Sequence, residues 1–285
     1  MATQHEVQYH YDVSNDFFKL FLDDKYRVYS CGVWKNATNI EQAQENKLRR
    51  IANFAHIKKG DHVLDIGCGW GGMLEYCVNT REVSSATGIT LSQAQYQYLV
   101  QKNIPSVFLK LCSWLELNNE KRRFDAIVSV GAMEHFASLQ EKKNGRHIDV
   151  YENFFHSCAN LSNSSAYLGL QTIITLKKPE TLQSMRDAHY LLKYVFPGSV
   201  LPDMSSLQLA MNKWYEPEDL RTIGFDYART LQEWKIRLNQ NKDKILKQYG
   251  ETLFTHYNHY FDAAIRSFEK GYISLLQMSL RKKIN

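Results

Sequence analysis

The sequence predicts an α/β fold built around a mostly parallel sheet, on three observations. Short apolar runs recur along the chain: HVLDI (62–66), SSATGIT (84–90), SVFLKLC (106–112), FDAIVSV (124–130) and AYLGLQTI (166–173). Segments of helical length separate them, so successive strands need βαβ crossovers and a sheet covered on both faces. The first run ends in a glycine-rich turn, VLDIGCGWGG (63–72), at the place where open α/β sheets bind ligands.

The remaining elements follow in chain order. Clustered apolar residues over 8–22, with Ser14 as N-cap, predict one or two helices. Thr38 followed by Glu41 reads as a capping box. Ile40, Leu48, Ile51, Ala52 and Ala55 share one face of the helix it opens, which Gly60 stops. A helix starts at Ser92, after the second strand. Between Lys177 and Lys213 the rhythm breaks: Pro179, Pro197 and Pro202 fall around helical MRDAHYLLKYV (185–195) and turn-rich FPGSVLPDM (196–204). This stretch reads as an insertion over the carboxyl edge of the sheet, a lid or pocket wall. The alternation then resumes with a helix from Glu216, a strand near Asp226–Leu231, two helices to about Lys270 and a last strand, YISLLQMSL (272–280). The expected organisation is one domain over 1–285. It comprises a helical N-terminal cap (1–60), a ligand-binding core (61–176), the lid (177–213) and the C-terminal part of the core (214–285).

Composition narrows the function classes. Of 285 residues, 44% are hydrophobic and 23% charged, which is globular and excludes disordered or collagenous chains. The longest largely apolar stretch, AYLGLQTIITL, is 11 residues, short of the roughly 18 that span a bilayer. The N-terminal MATQHEVQYHYD has no apolar core of a signal peptide, so a soluble, cytoplasmic protein is expected. Cys31, Cys68, Cys77, Cys112 and Cys158 form no C-x-x-C pair and read as free thiols, with no metal site. A net charge of +5 is too mild for a nucleic-acid footprint. The 17 Tyr, 14 Phe and 5 Trp are enough to line an apolar pocket as well as fill a core.

The chemistry concentrates at 63–72. Asp65 ends the first strand, and Gly67, Gly69 and Gly71 follow as G-x-G-x-G. Glycines there allow positive φ and let backbone approach a ligand without a Cβ clash. On pattern alone it could be a dinucleotide fingerprint, G-x-G-x-x-G, but the acid expected after the second strand is missing. An acid placed before the glycines suits a cationic amino-acid ligand. The plain alternative is a tight turn with no ligand.

D-x-G-x-G after a first strand is the S-adenosylmethionine (SAM) motif of class I methyltransferases. Beyond it, the chain resembles the cyclopropane fatty acid synthase and mycolic acid cyclopropane synthase family. The likeness is carried, in family order, by YHYDVSNDFFKLFL, YSCGVW, VLDIGCGWGG, GITLSQAQ, SVGAMEHF, KYVFPGSVLP and DYARTLQEW. It implies a class I SAM-dependent methyltransferase fold: a seven-stranded, mostly parallel sheet with the last strand antiparallel, carrying helical N-terminal and lid insertions. It also implies that Tyr29 and Ser30 lie near the methionine moiety of SAM, Asp65, Gly67 and Gly69 at its backbone, and Thr90, Leu91 and Gln95 at ribose and adenine. Trp114 would border the adenine or simply pack in the core.

The same resemblance implies a bicarbonate-binding reactive centre at Cys31, Glu134, Gln171, Ile173 and Tyr227. Four of these residues match the family pattern. Gln171 does not, because the family's L-H-T-I reads LQTI here. Gln donates a hydrogen bond to an anion but does not ionise near neutral pH as His does. The departure therefore bears on ring closure, which removes a proton, and not on methyl transfer. Alternatively, Gln171 is a neutral replacement.

The methyl of SAM is electrophilic, so an alkene acceptor needs positioning and water exclusion, not an activated nucleophile. The positive charge that forms would sit over aromatic faces, for which Tyr9, Tyr11, Phe17, Phe18, Tyr29, Phe136, Tyr194, Phe196 and Tyr227 are the candidates. His10 and His135 read as structural. The basic EKKNGRH (141–147) and RKK (281–283) read as solvated loops, with peripheral contact to anionic headgroups near the site mouth as a second reading. The expected acceptor is the double bond of an unsaturated acyl lipid. The rivals are a small-molecule N- or C-methyltransferase like coclaurine N-methyltransferase, and a non-catalytic binder.

Overall fold

A computed structural model describes residues 14–119 and 122–284. Tyr9, His10 and Tyr11, and with them residues 8–13 of the helical stretch expected over 8–22, lie outside the described residues. Seven strands form one sheet: β1 (His62–Ile66), β2 (Ser85–Thr90), β3 (Val107–Leu111), β4 (Phe124–Val130), β5 (Ser162–Thr175), β6 (Tyr215–Thr222) and β7 (Ile273–Lys282). Their order is β3-β2-β1-β4-β5-β7-β6, and β7 alone runs antiparallel to its neighbours. The expected α/β fold, with its last strand reversed, is the fold observed.

Side chains leave successive strand residues on opposite faces, and the core divides accordingly. On one face Leu64, Ile66, Ile127, Leu168 and Met278 pack against α6 (His147–Leu161) and α8 (Met204–Met211). On the other, Val63, Ala86, Ala126 and Val128 meet α2 (Ile40–Phe54), α3 (Gly72–Thr80) and α4 (Gln93–Lys102). A third cluster joins α1 (Asn15–Phe18) to α9 (Gly224–Gln240) and α11 (Glu251–Glu269), centred on fully buried Trp234 and Phe261.

Several boundaries differ from the sequence reading. The cap of α2 is Asn39, whose side chain accepts from the Gln42 N–H, while the Thr38 N–H and hydroxyl donate to Gln42 Oε1. That helix ends at Phe54, before His56 at φ 51°, and does not reach Gly60. The larger correction lies at 215–240, where strand and helix are exchanged. Tyr215–Thr222 is a strand and Gly224–Gln240 a helix. As an edge strand, β6 pairs only with β7, so it tolerates the charges of YEPEDLRT, and a bulge next to Pro217 absorbs the proline. Tyr227, Leu231, Trp234 and Leu238 recur at helical spacing and are all buried.

In the 177–213 stretch, α7 (Leu182–Tyr190) runs into a single π-helical turn, Leu191–Val195. Between this stretch and β7 lie α10 (Lys242–Tyr249) and α11. The basic 141–147 segment begins in the short α5 (Leu139–Lys143) and runs through a turn into the start of α6. The RKK segment lies at the amino-terminal end of β5, the edge opposite the site, where Arg281 pairs with Glu216 and Glu218. It is therefore no part of a site mouth.

What positions the site is an irregular segment, 23–34, threaded beneath α2. The carboxylate of Asp23, 1% exposed, accepts from the N–H groups of Tyr26 (2.7 Å), Arg27 (3.1 Å) and Val28 (2.7 Å). Gln44 donates to the carbonyl of Ser30, and Thr230 Oγ1 accepts from the Gly32 N–H and the Trp34 indole. A coil this buried needs its backbone groups paired by side chains. Replacing Asp23 by Ala orphans the N–H groups of Tyr26 and Val28, while the Arg27 N–H keeps the Asp23 carbonyl at 3.2 Å, so Asp23→Ala is expected to lose about 3 kcal/mol of stability, read as a lower urea midpoint at unchanged m.

Candidate active site

Two chambers open at the carboxyl edge of β1, β4 and β5. The larger, about 380 Å³, lies over the glycine turn and is lined by Asp65, Gly67, Gly69, Thr90, Leu91, Gln95 and Trp114, with Tyr29 and Ser30 on its far wall. All nine residues expected at the methyl donor therefore face one space. Gly67 and Gly69 hold φ of 85° and 55°. A Cβ on Gly67 would come within 2.6 Å of the Ala132 Cβ, whereas at Gly69 nothing lies within 4 Å. The first glycine is thus required by packing, and the second leaves the space above it open.

Around this chamber, Thr90 Oγ1 donates to Gln95 Oε1 at 2.8 Å. Trp114 both packs and lines: it is 4% exposed, edge-on to Phe154, and faces the cavity. Asp65 is pushed up to about 7 by burial, with Lys47 opposing. Lys47 and Glu116 also line the chamber, and the sequence reading named neither.

The second chamber, about 100 Å³, is lined by Glu134, Gln171, Ile173 and Tyr227 among apolar residues that include Leu231, Tyr260 and Phe268. Tyr29, Ser30, Gly131 and His135 line both chambers and form their common wall. Of the five residues expected at the reactive centre, Cys31 alone is not on the lining. It is fully buried, its thiol donating to the Gly32 carbonyl. Among the aromatic candidates, Tyr29, Phe196 and Tyr227 line the second chamber and Phe136 the first. Phe17 and Phe18 are interior packing of the third cluster, and Tyr194 is 45% exposed. Tyr260 and Phe268, on α11, take their place. His135 hydrogen-bonds Ser199 through Nδ1 at 2.9 Å.

The polar groups of the small chamber are arranged with a definite polarity. Glu134 Oε1 accepts from the Ile173 N–H at 2.6 Å, while its Oε2 is buried with no hydrogen-bond partner. Beside it, Gln171 Nε2 is likewise buried and without one. Gln171 Oε1 accepts from Gln277 Nε2 (2.7 Å), and Gln277 Oε1 accepts from Arg50 Nη1 (3.1 Å). A guanidinium has no acceptor, so it fixes the sense of both amides. Position 171 thereby presents a donor to the cavity next to a carboxylate acceptor. That pair suits a small protonated oxyanion such as bicarbonate, which brings one O–H and several acceptor oxygens.

Comparisons with known proteins identify the family. The family model described as mycolic acid cyclopropane synthetase matches residues 1–278. The chain belongs to this family. It is 31% identical over 292 residues to the S-adenosylmethionine-dependent methyltransferase UmaA of Mycobacterium tuberculosis, covering 97% of each chain. It is 33% identical over 272 residues to the cyclopropane-fatty-acyl-phospholipid synthase of Escherichia coli K12, covering 94% of this chain and 65% of that one. Among solved structures, mycolic acid cyclopropane synthase CmaA1 complexed with SAH and CTAB superposes with a TM-score of 0.87 at 28% identity, covering 98% of each chain. Coclaurine N-methyltransferase, at 20% identity, shares the fold (TM-score 0.81, 99% of this chain and 83% of that one).

Burial pushes the Glu134 carboxyl up to about 7 from the ordinary 4.5, with the Ile173 N–H pulling the other way. A raised carboxyl favours the folded state below pH 4.5, and that contribution disappears as pH rises through 7. It amounts to about 3 kcal/mol. Glu134→Gln keeps the acceptor for Ile173, so the fall in unfolding free energy between pH 5 and 8 is expected to shrink by about that much. Urea titrations across this range would show it, with the slope from Asp65 present in both proteins.

Proposed function

We propose that this chain is a SAM-dependent methyltransferase that transfers a methyl or methylene carbon to the double bond of an unsaturated fatty acyl chain. The observation that carries this reading is the shared wall: an apolar chamber abuts the glycine-turn chamber through Tyr29, Ser30, Gly131 and His135. Bound above the turn, SAM supplies an electrophilic methyl on a sulfonium. The chain's own residues then exclude water and hold the alkene against that wall. As the alkene carbon bonds to the methyl, the carbon–sulfur bond breaks and a cation forms on the acyl chain. The faces of Tyr29, Phe196, Tyr227, Tyr260 and Phe268 favour positive charge there. Ring closure releases a proton, and Glu134 Oε2 is the unpartnered acceptor in that chamber. Gln171 Nε2 and Glu134 Oε2 would hold bicarbonate between them.

The relatives named for acyl-phospholipid and mycolic acid substrates support an unsaturated lipid acceptor. The apolar lining favours it over an amine, since here a cationic nitrogen would meet only one carboxylate, already committed to Ile173 through Oε1. Peripheral contact with an anionic bilayer belongs to the same reading. On the 177–213 lid, Leu182, Met185 and Leu192 are exposed beside Arg186 and Lys193, and Leu192 reaches the chamber. Such a surface suits headgroups above and acyl chains below.

The purified protein incubated with SAM and unsaturated phospholipid vesicles is expected to add 14 mass units to an acyl chain. Label appearing only on nitrogen, with amines as acceptors, would overturn the acyl reading. In that assay, Gln171→Leu is expected to lower ring-closed product at least about tenfold. Gln171→His should keep the wild-type ratio, because Arg50 through Gln277 holds either side chain as a neutral donor. A ratio that follows pH only in the His variant would show that position 171 ionises.

A further inference from the structure

The acceptor chamber holds about 100 Å³. Sites that enclose small molecules measure roughly 300–1,000 Å³, so an acyl chain with its double bond in this space needs part of the wall to yield. The wall is not uniform. Leu231, Ala264, Phe268 and Leu275 are buried in the third core cluster, whereas Leu191, Leu192 and Phe196 come from the lid. Leu192 faces the chamber and is also 45% exposed, so the lid is the thin side.

The lid is held unevenly. Beyond Val195 it is stitched down: Ser199 hydrogen-bonds His135 at 2.9 Å, the Val200 N–H donates to the Glu134 carbonyl at 3.1 Å, and the Pro202 carbonyl accepts from the Thr175 N–H at 2.9 Å. Its helix α7, by contrast, buries only Ser184 and Asp187. It meets α11 through polar groups. Asp187 accepts from Arg266 Nε and Nη2, both at 2.8 Å. The Tyr190 hydroxyl hydrogen-bonds His256 Nδ1 at 2.8 Å, and its ring stacks on His259 at 3.8 Å. Segments with few buried apolar contacts open at low cost, and water can replace the hydrogen-bond partners here. Between the stitched part and α7 lies the π-helical turn Leu191–Val195, an irregularity frequent at functional sites.

We propose that α7 is the gate of the acceptor chamber: hinged at Leu191–Val195, it lifts from α11 and releases Asp187 and Tyr190, admitting an acyl chain beneath Leu192. This rests on the reading of that chamber as the acyl site. Closure then returns Leu191, Leu192 and Phe196 to the wall and excludes water while the cation exists.

Hydrogen exchange read by mass spectrometry tests the gate without turnover. In the ligand-free protein the amides of α7 are expected to exchange at least about 100-fold faster than those of residues 263–268 on α11. Arg266→Met removes the cation that pairs with Asp187 and touches neither chamber. It is expected to speed α7 exchange about tenfold and to leave S-adenosylhomocysteine affinity within about twofold. The KM for unsaturated phospholipid should fall by up to about tenfold, because apparent affinity follows the fraction of open protein. Where Arg266→Met does not fold, Tyr190→Phe decides: it keeps the ring on His259, loses the bond to His256, and should move exchange and KM the same way by about threefold. Amides of α7 as slow as those of 263–268, or faster α7 exchange at unchanged KM, overturn the gate and leave the acyl reading standing. Fast α7 exchange in a wild-type protein that modifies no acyl chain overturns the acyl reading, and the gate with it.

Discussion

The two chambers are useful only because the coil between them holds still, and that stillness rests on one carboxylate. Asp23 gathers three successive N–H groups and so sets the path of the chain into Tyr29 and Ser30. Neither strand nor helix is available there, because both faces of the segment are in use: Tyr29 and Ser30 line both cavities. Regular structure would satisfy the backbone but present alternate residues in fixed directions. Side-chain donors on α2 and acceptors on α9 leave the coil free to place two consecutive residues on one wall. The arrangement concentrates the risk as well, since the loss of one acceptor frees two donors at once.

The second constraint runs through amides instead of charges. Arg50, Gln277 and Gln171 form a line whose direction is set at its outer end, where the guanidinium can only donate. A histidine at 171 in the same line would accept from Gln277 and donate inward, leaving no room for a second proton unless Gln277 turned its NH₂ toward Arg50. Two donors would then face each other in a buried setting. The replacement of the family's His by Gln is conservative in this sense: it preserves the direction of the hydrogen bond and removes an ionisation that the neighbours already oppose.

The sequence made the sheet legible because each central strand is a contiguous apolar run ended by a turn residue. Val63 to Gly72 also shows its chemistry in one place, and the chamber above it holds every residue expected there. The acceptor chamber was only partly legible. Glu134, Ile173 and Tyr227 came from resemblance, while Tyr260 and Phe268 are two aromatics among several on α11, indistinguishable from packing until α11 is placed against β7. Lys47 and Arg50, three apart in ENKLRRIA, look like a solvated charged stripe. Gln44, Lys47, Leu48 and Ile51 in fact form the inward face of α2. Nothing in one dimension distinguishes a lysine that snorkels outward from one turned in toward Ser30. The exchange of helix and strand at 215–240 has another cause: an edge strand with one partner need not look apolar.

Methyl transfer to an alkene neither consumes nor creates charge at the protein, yet it moves a positive charge from the donor's sulfur to the acceptor's carbon. The fixed charges fit that displacement. Asp65 and Lys47 both line the donor chamber, while Glu134 stands in the acceptor chamber toward which the positive charge would travel. Burial raises Glu134 to about 7, so near neutrality its charge is only partly developed. A cation forming within the same apolar enclosure pulls that equilibrium toward the carboxylate, because an opposite charge nearby favours the ionised form. In the proposed reaction, Glu134 would thus be drawn into its proton-accepting state by the intermediate whose proton must leave.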